Sequence, residues 1–155
     1  MTRYATRLLT IAAWWWLMMA VHELGHVIGC LASGATVEAV ILWPWTISET
    51  VRSGSQAPLI DTWAGPLLGM LLPVVAWLIC RRQPKLSAWV AGWVGFCLVA
   101  NGVYLAAGWV EPAGDASDLM RLGMPVWVLF TVGVAAVLAG LWCWHRQLER
   151  NRARS

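Results

Sequence analysis

Four long stretches of the chain are almost free of charge, and the polar residues that interrupt them are few enough to name. The first opens at Leu8, passes through Trp14, Trp15 and Trp16, and ends at Ala32. Its only charged or imidazole side chains are His22, Glu23 and His26. The second covers Thr62 to Cys80, the third Leu86 to Val110 and the fourth Leu122 to Trp144. At about 1.5 Å per residue each can cross a hydrocarbon core of roughly 30 Å as a helix. The expected fold is therefore an all-α membrane protein with four transmembrane helices. Between the first two spans, Thr36 to Ile47 is rich in β-branched and apolar residues. It is expected as a short β segment or an interfacial loop.

Composition agrees with the pattern. Hydrophobic residues make up 59% of the 155, charged residues only 12%, and the mean hydropathy is +0.62. Those values lie outside the range of soluble domains and make a bilayer the natural solvent. Four spans consume most of the length, so residues 1–145 are expected as a single transmembrane domain and 146–155 as a basic cytoplasmic tail. Arg3 and Arg7 precede the first apolar run as they would in a signal peptide. That run is about twice as long as an h-region and carries the polar cluster, so it is expected as a retained helix.

The eleven Lys and Arg residues set an orientation. Arg3, Arg7, Arg81, Arg82, Lys85, Arg146, Arg150, Arg152 and Arg154 fall on one side of the four spans, and Arg52 and Arg121 on the other. The positive-inside rule then places both termini in the cytoplasm of a multi-pass protein, expected in the cell membrane. The formal charge of +3 reads as topology and contact with anionic lipid, and no basic-aromatic surface suggests nucleic acid. Of thirteen tryptophans, Trp63, Trp89, Trp109, Trp142 and Trp144 lie near span ends, where an indole anchors at the headgroups. Trp43 and Trp45 flank Pro44 in the loop after the first span, where they could rest on the membrane surface.

Chemistry concentrates in His22-Glu23-Leu24-Gly25-His26. Side chains four apart on a helix share a face, so the two imidazoles can converge on one metal ion. Glu23 projects about 100° around the axis, beside the metal rather than on it. Two imidazoles and a carboxylate suit Zn2+ and leave a position for water. Ionisable groups late in an apolar span are costly and usually functional. A buried hydrogen-bonded cluster is the competing reading. For the third ligand, Glu38, Glu49 and Glu111 read as loop or headgroup-level residues, Glu149 lies in the tail, and Asp61 opens the second span. Asp115 and Asp118 precede the fourth span on the side toward which the histidines lie, and they are the better pair.

The chain resembles the site-2 protease family of intramembrane zinc metalloproteases. The resemblance rests on His22 to His26, on Ala64-Gly65-Pro66 in the second span, and on Asp115-Ala116-Ser117-Asp118-Leu119-Met120. It favours Asp115 as ligand, with Asp118 as the alternative. The family's Asn after the Gly-Pro is replaced by Gly69 and Met70, and its Asn-x-x-Pro run before the ligand Asp is absent, with Asn101 in the third span a candidate for a comparable polar group. The resemblance implies a zinc endopeptidase acting on a transmembrane or membrane-associated protein. Zinc would be held by His22, His26 and Asp115, with Glu23 as general base and Asn101 binding substrate. Gly25 with Gly29, and Gly65 with Gly69, form small-xxx-small pairs that could bring the first two helices together. Pro66 and Pro73 could bend the second. The rival class is a non-catalytic membrane protein with a structural, sensing or metal-handling zinc site. A bis-histidine haem is disfavoured, because two rings one turn apart cannot reach opposite faces of one macrocycle.

Overall fold

The computed structural model describes residues 2–43, 45–110 and 114–152. Helix α1 (Arg3–Ser33) begins at Thr2, whose side chain accepts from the Ala5 amide, and stops at Gly34. Gly34 has φ +73°, a conformation glycine adopts without penalty, and its amide returns to the Cys30 carbonyl. A β-hairpin follows, with strands β1 (Thr36–Ile41) and β2 (Glu49–Ser53), then α2 (Pro58–Cys80), α3 (Pro84–Ala107), the short α4 (Gly114–Arg121) and α5 (Val126–Arg152). Helices α1, α2, α3 and α5 are each long and apolar enough to cross a bilayer, so the chain is a multi-pass membrane protein.

The expected β segment after α1 is present, and other elements differ from the sequence reading at their boundaries. The segment after α1 is a two-stranded antiparallel sheet with Thr36 opposite Ser53 and Ile41 opposite Glu49, and its register shifts between Val37 and Ala39. The fourth span starts at Val126 rather than Leu122. Met124 N–H closes onto the Leu119 carbonyl, Gly123 takes φ +88°, and Pro125 follows, so the chain breaks before the helix can begin. The third span ends at Ala107, three residues early. The tail has no break from α5, which runs on to Arg152. Helix α2 runs through Pro66 and Pro73, both fully buried. Pro44, Glu111 and Arg154, each placed by the sequence reading, lie outside the described residues.

The chain divides into two compact units, Met1–Leu68 and Gly69–Ser155. In the first, α1 packs on the opening turns of α2. A methyl group added at Gly29 would lie 2.7 Å from Ala64 Cβ and 3.0 Å from Asp61 Cα, and one at Gly25 would strike the Ala64 carbonyl. The expected small-residue seam on α1 is therefore present. The buried side of α1 carries Met18, Met19, His22, Glu23, Gly25, His26, Gly29 and Cys30, while Leu24, Ile28 and Leu31 point outward. Polarity inside and aliphatic groups outside is the arrangement that lipid solvation favours. The hairpin runs back along α1 from its end. Gln56 N–H bonds the Ser33 carbonyl, and further along β2 Thr50 reaches Glu23.

In the second unit α3 and α5 pack antiparallel. Gly102 and Gly133 each lie against the other's backbone, and Trp144 Nε1–H donates to the Gly92 carbonyl at 3.0 Å. Trp144 thus packs over Gly95. Helix α4 docks on the end of α3, where Ala116 meets Gly108.

Candidate metal centre

The seam between α1 and α2 is close enough for backbone groups of one helix to serve side chains of the other. His22 and His26, one turn apart on the inner face of α1, bring their Nε2 atoms to 3.2 Å, with ring planes inclined at 66°. His26 Nδ1 lies 2.8 Å from the Asp61 carbonyl oxygen. A carbonyl can only accept, so Nδ1 carries the hydrogen and Nε2 keeps its lone pair, the tautomer a metal ligand needs. Gly65 makes this possible, since a side-chain carbon there would overlap the His26 ring.

Two nitrogens 3.2 Å apart subtend roughly 100° at an ion about 2.0–2.1 Å from each, close to the tetrahedral value. The pair therefore has the spacing of two ligands of one zinc centre. Glu23, next along the helix, is only 2% exposed. Its Oε2 accepts from the Thr50 hydroxyl at 2.6 Å, a short charge-assisted bond.

Arg52, two residues beyond Thr50, donates through Nη2 to Thr62 Oγ1 at 2.8 Å. Its Nη1 lies 3.2 Å from His26 Nδ1. That nitrogen cannot accept from arginine while donating to Asp61, and the shorter carbonyl contact decides the tautomer. Arg52 thus sits beside the ring and is tied to α2 through Thr62, whose own hydroxyl donates to the Pro58 carbonyl. Asp61 is wholly buried, and neither carboxylate oxygen has a hydrogen-bond partner among the described residues. Its contribution to the histidine pair is its main-chain oxygen.

The remaining expected residues belong to the second unit. Asp115 opens α4 on its buried side, and its amide donates to the Tyr104 hydroxyl at 3.0 Å. Asp118 lies on the outward side, 3.7 Å from Arg121 in an ion pair whose side chains are 47% and 77% exposed. Asn101 is buried on α3 one turn before Tyr104, with Nδ2 donating to the Cys97 carbonyl at 2.9 Å. An added methyl at Gly69 would fall 2.9 Å from Asn101 Oδ1. The small residue at 69 therefore makes room for the amide from the neighbouring helix.

Thr50, Arg52 and Thr62 were not singled out from the sequence. One signal was available: Arg52 is one of only two basic residues on the sparsely charged side of the spans. In comparisons with known proteins, no family model, no curated protein and no solved structure matches the chain.

Proposed function

We propose that this chain is an intramembrane zinc endopeptidase of the site-2 protease type, acting on a transmembrane or juxtamembrane peptide bond. The observation that carries the reading is the histidine pair: two buried Nε2 atoms 3.2 Å apart, one with its tautomer fixed by a backbone carbonyl, beside a buried glutamate. His22 and His26 hold the ion, and Asp115 supplies the third ligand. Asp115 is preferred to Asp118 because it occupies the buried side of α4, whereas Asp118 faces Arg121 at the surface.

Zinc, when bound, supplies a Lewis acid and makes a water molecule nucleophilic near neutral pH. Glu23 accepts the proton of the attacking water and returns it to the leaving amine, the ordinary duty of a positioned carboxylate. Asn101 presents an amide to the substrate backbone or to the developing oxyanion. A helical substrate hides its carbonyls in intrahelical bonds and must unwind locally before attack. Strands β1 and β2 form a sheet of only two strands, so an extended segment can add to an outer edge. The proposed setting is the cell membrane with both termini in the cytoplasm, from the distribution of Lys and Arg.

The test compares wild type with Glu23→Gln for zinc content and for peptide-bond cleavage in detergent. The endopeptidase reading expects Glu23→Gln to keep its zinc and lose cleavage by at least about 100-fold. Equal behaviour of the two proteins contradicts it and favours a structural or metal-handling site.

A further inference from the structure

Strand β2 offers two side chains to the helix that bears the histidines. Thr50 and Arg52 are two apart, so both project from one face of the strand about 6.6 Å from each other. Glu23 and His26 are three apart on α1, and such positions are neighbours about 5–6 Å apart. The two spacings match closely enough that one strand serves both residues. The Thr50 hydroxyl donates to Glu23 Oε2 at 2.6 Å, and Arg52 Nη1 lies 3.2 Å from the His26 ring. The bond from Arg52 to Thr62 at 2.8 Å ties the strand to α2, so β2 is held at both contacts.

We propose that Thr50 is a positioning residue for Glu23, an inference that rests on the endopeptidase reading. Thr50 and Glu23 are both buried, so little water competes for the hydroxyl, and a donor fixed to Oε2 restricts rotation of the carboxylate. Oε1 is then the oxygen presented for proton transfer. The Thr50 hydroxyl donates to the Glu23 carboxylate, and its effect passes through that group.

The experiment uses the full-length, zinc-loaded protein in detergent with Thr50→Val and Thr50→Ser, and β-casein as the cleavage probe. Thr50→Val is expected to lower kcat about 10- to 100-fold at unchanged KM and unchanged zinc content, and Thr50→Ser to restore it. A readout independent of turnover is the Glu23 carboxylate stretch, taken from the infrared difference between each protein and its Glu23→Gln counterpart. The band should move in Thr50→Val and return in Thr50→Ser. An unmoved band in Thr50→Val, an unchanged kcat, or a Thr50→Ser as impaired as Thr50→Val each overturns the positioning role. If the band moves but wild type and Glu23→Gln act alike on β-casein, the endopeptidase reading has failed, and the role falls with it.

Discussion

At the scale of single residues, Gly65 separates two physical effects of opposite sign. Replacing a helical glycine with alanine ordinarily stabilises by about 0.5–1 kcal/mol. Here the new carbon would overlap the His26 imidazole, which is also held by the Asp61 carbonyl. Gly65→Ala is therefore expected to weaken zinc binding at least about tenfold, read by titration against a competing chelator, since disturbing the groups that orient a ligand costs that much. The two aspartates of α4 make a second contrast. Asp115→Asn should lose zinc, whereas Asp118→Asn, which weakens an exposed ion pair with Arg121 worth about 0–1 kcal/mol, should keep it. Elemental analysis of the two variants side by side checks this. The histidines and Glu23 were legible because their relation is local, one turn of one helix. Thr50 was not, because its partner lies 27 residues away and a threonine in a strand has no pattern that points to a distant carboxylate.

At the scale of elements, legibility followed length and period. Four apolar runs long enough to span a membrane could be read directly, and the Gly25 and Gly29 spacing anticipated a close α1–α2 seam that the structure contains. Helix α4 could not, since eight largely polar residues carry neither a spanning run nor several turns of period. The hairpin was half legible: the β-branched run of β1 was visible, but β2, with Glu49 and Arg52, looks like a polar loop until its pairing is known. Its anchors at Ser33 and Glu23 lie ten helical residues apart, about 15 Å along the axis, so the hairpin runs back alongside the last turns of α1. The α3–α5 seam gives the prediction at this scale. A methyl at Gly102 would sit 2.6 Å from the Gly133 carbonyl, which no rotamer change can relieve. Gly102→Ala should lower stability by about 1–3 kcal/mol, the usual range for overpacking, measured by denaturation in detergent.

At the scale of the whole molecule, the burial pattern inverts that of a soluble protein. Leu24, Ile28 and Leu31 on α1, and Leu138, Leu141 and Trp142 on α5, are exposed, while His22, Glu23, His26, Asp61 and Asn101 are buried. Aliphatic groups gain nothing by leaving lipid, whereas ionisable groups must find protein partners there. The proposed topology puts both termini in the cytoplasm, from the placement of nine of the eleven basic residues. Protease-cleavable tags at the two termini should accordingly be cut together, and only from the cytoplasmic face. What holds the ionisable cluster in the bilayer is, on this account, a metal ion shared by the two imidazoles, and the most direct test is the zinc-to-protein ratio of the purified chain. A stoichiometric zinc that disappears in His22→Ala and persists in Glu23→Gln is the expected result. A wild-type protein purified without zinc, or a ratio indifferent to His22→Ala, would contradict the account at its root.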